Sequence, residues 1–426
     1  MIEKLAEWNP WWEDRDAINE LKGKPRVAYQ NLIDSVSVKE VTIITGVRRS
    51  GKSTLMYQMI DSLLRNGIEP KQILFVNLED KKLTKDTLDA IYDSYRESIN
   101  LGKSYIFLDE VHRKPGWESW VRKKYDLKAN CKFVISGSCS YLLRREYSTL
   151  LTGRNLTFEV FPLSFEEFLL FKGLQLDREK LKTGVLLEKT RLLIFRYLKE
   201  YLNWGGFPEV SLKEERFRKM LLEQYFDDIL YKDIVDRYNL NAQKAKDLAL
   251  FLMTNCTGIV SLRNLRNSIG LSYDTIKDYL SFYKEAFLFF TLDHFSYSFK
   301  EQKTLPSKIY CIDNGLRNSV SFKFSSDVGK LAENAVLIEI KKRGIDVYYW
   351  KGGGEVDFVI KNKDQSLSAI NVSFSDEIKE RELGSLLDFK KEYKQVKEII
   401  LLTKNTEKKE RGIKVVPIWK WLLSIC

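Results

Sequence analysis

Residues Gly46 to Ser53 read G-V-R-R-S-G-K-S, between the apolar run Val41-Thr42-Ile43-Ile44 and the helix-forming stretch Thr54-Leu55-Met56-Tyr57. A strand, a glycine loop and a helix in that order form a cradle for a nucleoside triphosphate. The loop comprises Gly46, Val47, Arg48, Arg49, Ser50, Gly51, Lys52, Ser53 and Thr54, and its glycines let backbone N–H groups turn toward the β-phosphate. Lys52 is expected to reach the β- and γ-phosphates and Ser53 to ligate Mg²⁺. A second constellation supplies the chemistry of hydrolysis. The run Tyr105-Ile106-Phe107-Leu108 reads as a buried strand and ends in Asp109-Glu110. Two adjacent acids at a strand end are costly unless they act there. Asp109 would hold Mg²⁺ through water and Glu110 would polarise the attacking water.

The elements that must position these groups are further buried strands. Gln72 to Asn77 forms one, and Lys132 to Ser138 another, ending in small polar residues. Residues Met1 to about Glu40 form a leader containing Trp8-Asn9-Pro10-Trp11-Trp12. Tryptophans there could flank an adenine, but three so close together more often cap a core or meet a partner. Gly205-Gly206-Phe207-Pro208 marks a hinge or a close backbone approach.

These motifs, with S-G-S-C-S, L-T-G-R-N-L-T-F-E-V-F-P-L-S-F-E-E-F from Leu151 to Phe168, G-G-F-P-E, Y-F-D-D-I-L-Y-K-D-I, L-A-E-N and G-G-E-V-D-F, extend over nearly the whole chain. In them the sequence resembles a family of archaeal and bacterial AAA-type P-loop ATPases whose C-terminal region is likened to a degenerate restriction-endonuclease fold. The resemblance implies a polar γ-phosphate sensor at the end of the strand beside the acidic one. Ser136 and Ser138 are the candidates there, with Ser138 preferred. It also implies an arginine that reaches the triphosphate of a neighbouring subunit. Arg154 is placed in that role, with Arg48, Arg49, Arg144 and Arg145 as rivals and a structural tie within its own domain as the alternative.

Downstream, Ser261 to Leu265 begins a short helix, Gly270 breaks it, and Ser272 to Lys284 forms a second, with strand-like residues Phe287 to Leu292 after it. That pattern is a winged helix-turn-helix. Its second helix would present Tyr273, Asp274 and Lys277 to a major groove, with Arg263 and Arg266 on phosphates. Winged helices also serve as plain packing modules. In the last third, Glu333 lies on an expected helix, and alternation puts Glu355 and Asp357 on one face of a strand. Restriction-type nucleases hold Mg²⁺ with such acids and carry Glu-x-Lys on the next strand. Here Asn371 and Ser373 stand in those places, so a catalytically silent DNA- or protein-binding module is expected, Lys351 or Lys361 being possible substitutes for the lysine.

The chain has 426 residues, enough for two or three domains. The expected division is 1–170 leader and ATPase core, 171–240 helical linker or lid, 241–312 winged helix, and 313–426 endonuclease-like α/β domain. The expected fold class is thus α/β, with a P-loop AAA-type core. Five cysteines without a C-x-x-C pair and only two histidines argue against zinc, and with no signal peptide they suggest a reducing cytoplasm. No run of about 18 uncharged apolar residues is present, so a membrane span is not expected. A net charge of +11 favours a polyanionic partner, although abundant Lys and Glu could equally be a solvated surface. The expectation is an ATP- and Mg²⁺-dependent motor or switch acting on DNA, in a homo-oligomer. The alternatives are a signalling switch that recruits a protein through the C-terminal domain, and an ATP-gated nuclease.

Overall fold

The structure, a computed structural model, describes all residues except 139–150, 178, 180, 182–186, 323–326 and 424–426, and the side chain of Lys303. It divides into two compact units, Met1–Val160 and Phe161–Cys426. The expected core boundary at residue 170 therefore falls ten residues inside the second unit. The cause is local: Ser164 and Glu167 form a capping box that starts the helix Phe165–Phe171, and its Phe165, Phe168 and Leu169 are buried in the core of the second unit.

The first unit is built on five parallel strands, β1 (Val41–Thr45), β2 (Ile73–Asn77), β3 (Ser104–Asp109), β4 (Cys131–Gly137) and β5 (Asn155–Glu159), in the order β2-β3-β4-β1-β5. Continuous apolar runs suit a parallel sheet because both faces are covered. On one face Ile44, Phe75, Phe107 and Val134 share a core with Leu55, Met56, Met59 and Leu63 of the helix Lys52–Arg65. On the other, Ile43, Leu74, Ile106 and Ile135 share one with Ile91, Tyr95, Trp117 and Val121. Because every strand runs the same way, the glycine loop, Asp109 and Ser136 all emerge at the carboxyl edge, where open α/β sheets bind ligands. Of the leader tryptophans, Trp11 and Trp12 lie at the opposite edge, whereas Trp8 reaches past the carboxyl end of β2. Trp11 and Trp12 donate their indole N–H groups to the Ile73 carbonyl at the start of β2, and Trp8 donates to Asp80. Trp11 is buried in the core and Trp12 packs against it.

The second unit opens with helices, among them Glu188–Trp204 and Glu215–Asp228. Strands β6 (Ile259–Val260), β7 (Phe289–Leu292) and β8 (Ser307–Cys311) form an antiparallel sheet in the order β6-β8-β7. Two helices, Leu262–Ile269 and Tyr273–Glu285, sit between β6 and β7. Ser261 and Ser272 cap them, accepting from the N–H groups of Asn264 and Thr275, and Gly270 at φ +70° turns the chain between them.

Six further strands follow: β9 (Val347–Lys351), β10 (Glu355–Lys361), β11 (Leu367–Ser373), β12 (Val396–Thr403), β13 (Lys408–Glu410) and β14 (Ile413–Pro417). They form one mixed sheet in the order β13-β14-β12-β11-β10-β9. The helix Val328–Lys342 precedes β9, and Glu380–Glu392 crosses from β11 to its parallel neighbour β12. The Gly205-Gly206 turn is a close approach: a Cβ on Gly205 would fall 1.9 Å from Asp313 Oδ1, and Gly206 N–H donates to Asp313 Oδ2 at 2.6 Å. Among the described residues no helix is long and apolar enough to cross a membrane.

Candidate active site

The glycine loop leaves β1 at Gly46, whose φ of +147° and tight surroundings exclude a side chain; a Cβ there would meet the Val160 carbonyl oxygen at 2.1 Å. Gly51, at φ +98°, ends the loop and caps the helix Lys52–Arg65. Arg49 also takes a left-handed conformation, at φ +68°. Lys52 is buried and curls back over the loop, donating to the carbonyls of Gly46 (3.1 Å) and Val47 (3.2 Å). Those carbonyl oxygens stand in for phosphate oxygens. Ser50 is fully buried, and its hydroxyl has no hydrogen-bond partner among the described residues. Thr54 is half-buried in the first turn of the helix.

Across the carboxyl edge, Ser53 Oγ donates to Asp109 Oδ2 at 2.6 Å, and Ser136 donates to Asp109 Oδ1. Burial, and then the neighbouring charge of Glu110, push the Asp109 carboxyl up to about 6, against hydrogen bonds from Ser136 and Ser53 and the charge of Lys52. A divalent cation would relieve that cost. A hydroxyl beside a buried carboxylate is the donor set that hard Mg²⁺ takes, so Ser53 and Asp109 fit the metal. Glu110 follows at φ +54°, a sparsely populated conformation for a non-glycine residue and one that gathers at functional sites. One of its oxygens lies 3.8 Å from Lys52 Nζ, and the other, 3.3 Å from His112 Nδ1, accepts no hydrogen bond among the described residues.

Of the two sensor candidates, Ser136 also accepts from Glu110 N–H at 3.2 Å and so contacts both members of the acidic pair. Ser138, preferred on sequence, is buried one residue beyond β4. Arg154 lies at the other end of the sheet from the glycine loop, its carbonyl accepting from Val41 N–H at the start of β1 and its Nε donating to Asp126 at 2.9 Å. Arg144 and Arg145 lie outside the described residues.

Two features escaped the sequence reading. Arg48 meets Glu79 in a two-pronged contact (3.0 and 3.3 Å), and Arg113 reaches the same carboxylate at 2.6 Å. Burial opposes ionisation of Glu79, but hydrogen bonds from Arg48 and Arg113 outweigh it and hold the carboxyl down to about 2. Buried Arg26 donates to the Ser50 carbonyl at 2.8 Å, buttressing the loop from behind. No spacing rule marks either; the only signal is that E-D follows a buried strand.

In the second unit, Arg263, Arg266 and Lys277 are all exposed. Arg263 and Lys277 line a groove of about 450 Å³ together with Tyr273, Leu280 and Lys284; Arg266 is not part of it. Lys277 Nζ lies 4.4 Å from the centre of the Tyr273 ring.

Glu333, Glu355 and Asp357 do converge, but around a lysine that sequence reasoning did not name. Lys308 Nζ lies 3.1 Å from Glu333 Oε1, 2.7 Å from Glu355 Oε1 and 3.0 Å from Asp357 Oδ1. Burial disfavours its charge, but Asp357, Glu333 and Glu355 outweigh that and hold it protonated. Burial, with Asp357 beside it, pushes Glu333 up to about 8 in spite of Lys308 and Tyr310. Lys351 and Lys361, offered as substitutes on sequence, are exposed. Asn371 accepts from Asp357 N–H at 3.0 Å, and its amide is spent on backbone partners.

Comparison with known proteins places the end of the first domain beside the boundary expected from the sequence, nine residues past Val160. An AAA domain matches residues 38–169, and two domains of unknown function, DUF8612 and DUF4143, match 195–327 and 328–421. An uncharacterised protein of Methanocaldococcus jannaschii is 32% identical over 428 residues, covering 95% of this chain and 93% of its own. An uncharacterised protein of Haemophilus influenzae is 31% identical, covering 93% of this chain and 97% of its own. Among solved structures, AMPPCP-bound DnaA from Aquifex aeolicus shares 14% identity over 60% of this chain and 86% of that one, at a TM-score of 0.28, too low to equate the folds.

Proposed function

Because this chain belongs to the AAA-type ATPase family shared with those two relatives, we propose that it binds ATP with Mg²⁺ and hydrolyses it to drive a motor or switch on DNA. The observation that carries the ATP reading is the 2.6 Å bond between Ser53 and Asp109, which joins the glycine loop to the acidic strand at one partly buried point. Lys52, freed from the loop carbonyls, binds the β- and γ-phosphates, and the loop N–H groups cradle them. Mg²⁺, when bound by Ser53 and Asp109, neutralises charge on the transferring phosphoryl group. Glu110 holds and polarises the attacking water, its unbonded oxygen being the acceptor for one water proton. We read Arg154, which lies at the other end of the sheet from its own loop, as acting on a neighbouring copy in a homo-oligomer, the alternative being a structural tie to Asp126.

The DNA reading is supported by the net charge of +11, by the capped helix pair, which we read as a winged helix-turn-helix, and by the acid-free lining of the groove that holds Arg263 and Lys277. The β9–β11 hairpins followed by a helix and the parallel β12 support an endonuclease-like reading of the C-terminal sheet, used for binding. An ATPase assay with single-stranded, duplex and branched DNA tests the whole. DNA should raise turnover, with affinity falling steeply as salt rises. Lys52→Ala should abolish nucleotide binding, and Glu110→Gln should bind ATP but turn over at least about 100-fold more slowly. Wild-type turnover in Glu110→Gln refutes the role of that residue, and turnover indifferent to every DNA moves the chain to a protein-recruiting switch.

A further inference from the structure

We propose that Lys308 is the resident cation of the Glu333–Glu355–Asp357 cluster and closes it to divalent metal, so that the C-terminal sheet works without a metal and does not cleave phosphodiesters.

An ammonium group has three N–H donors and no acceptor. Here three carboxylate oxygens stand at 3.1, 2.7 and 3.0 Å around Nζ, one from each acid, so the three donors have three acceptors. The Lys308 side chain is only 2% exposed, and water does not compete for it. Four of the six carboxylate oxygens are already engaged, the three on the ammonium and Asp357 Oδ2. Glu333 Oε1 accepts a second bond from the Tyr310 hydroxyl at 2.7 Å, and the remaining Asp357 oxygen accepts from Val372 N–H at 2.9 Å. Hard divalent cations bind carboxylate oxygens at about 2.0–2.6 Å. One could enter only by expelling the ammonium or by sitting against a like charge. Expulsion is opposed by the strand that carries it: β8 is the middle strand of its sheet, paired on both sides with β6 and β7, and Ile309 exchanges further backbone bonds with Thr257 and Gly258. A lysine that served a metal-dependent reaction would leave the acids open. This one is bonded to all of them. The lysine comes from the matched domain at 195–327 and the acids from the one at 328–421, so the same contact fastens one to the other.

The test is Mn²⁺ binding by the full chain without nucleotide, read as loss of the free Mn²⁺ electron paramagnetic resonance signal. All proteins carry Asp109→Asn, so that the nucleotide site does not contribute. The Lys308 chain should take up no Mn²⁺ at the C-terminal cluster. Lys308→Met should gain one equivalent, bound at least ten-fold tighter than in the Lys308 chain, and adding Asp357→Asn should abolish it. Lys308→Arg keeps the charge and should stay silent. Mn²⁺ uptake by the Lys308 chain that disappears with Asp357→Asn would overturn the proposal, as would a folded Lys308→Met chain that gains no site. Should Lys308→Met not fold, the Lys308 chain still decides. Mn²⁺-dependent nicking of supercoiled DNA that Asp357→Asn removes counts against a closed cluster, and no uptake and no nicking support it.

Discussion

Gly46→Ala separates the two demands that the glycine loop makes on its first residue. At φ +147° an L-side chain is strained, and the new Cβ would lie 2.1 Å from the Val160 carbonyl oxygen, 2.9 Å from its carbon and 3.1 Å from its nitrogen. The obstacle is backbone at the end of β5, which is paired to β1 along its length, so it cannot swing aside as a side-chain tip would. The left-handed strain is worth about 1 kcal/mol, and overpacking against fixed atoms a further 1–3 kcal/mol. Gly67→Ala is the matched control: φ is +84°, with nothing within 4 Å of its Cβ. It should show the strain alone. A unit of this size loses about 2–4 °C of Tm per kcal/mol, so Gly46→Ala should melt roughly 4–16 °C lower and Gly67→Ala about 2–4 °C lower. Thermal unfolding followed by circular dichroism, with ATP affinity measured alongside, reads both; only Gly46→Ala should weaken nucleotide binding. Equal melting shifts in the two variants would refute the claim that Val160 is what Gly46 accommodates.

Glu79 has its carboxyl held below its ordinary value, so its contribution is present above about pH 4.5 and is lost as pH falls toward about 2. Since Glu79 is 31% exposed, screening leaves roughly 1–2 kcal/mol, and Glu79→Gln should lower Tm at pH 7 by a few degrees, the gap narrowing below about pH 4.5 and closing only near pH 2. A pH-independent gap would show that the Arg48 and Arg113 contacts are not what stabilise its charge. Ser136→Ala removes bonds to both Asp109 and Glu110, and should slow ATP turnover by about ten-fold, more than Ser138→Ala does; steady-state kinetics giving the reverse order would return the sensor role to Ser138. Mixing Arg154→Ala with Lys52→Ala chains should restore turnover at shared interfaces, and activity per subunit should rise with concentration, because the exposed Arg154–Asp126 pair is weak enough to break. Absence of rescue would leave Arg154 a structural arginine.

Features written in contiguous residues were legible. The glycine loop, the acidic strand end and the buried strands each declare themselves within ten residues, because full burial demands an unbroken apolar run. The helix pair at 262–285 was equally visible, through two serine caps and one glycine. β5 was not, since N-L-T-F-E sits at the sheet edge with Leu156, Thr157 and Glu159 exposed, and carries no buried run. The segment F-P-L-S-F-E-E-F packs in the second unit while the matched AAA domain runs to residue 169, because it is apolar enough for either core. Lys308 was hidden most thoroughly. In S-K-I-Y-C it reads as an ordinary polar position of a strand, and only the fold brings three acids to it. Arg26 and Glu79 likewise hold the glycine loop from 24 and 31 positions away.

The ammonium of Lys308 also imposes an order on how the chain is made. Its acceptors lie 25 positions later at Glu333 and 49 later at Asp357, and Asp313, which receives the Gly206 amide, is made 107 residues after it. At a synthesis rate of about 5–20 residues per second, β8 waits some 2–10 s for its last carboxylate to be added. Until then a lysine destined for burial has to stay in water. The β6–β8 sheet therefore cannot reach its final packing while residues beyond 340 are still unmade, and a nascent chain stalled there should be open to protease around residue 308.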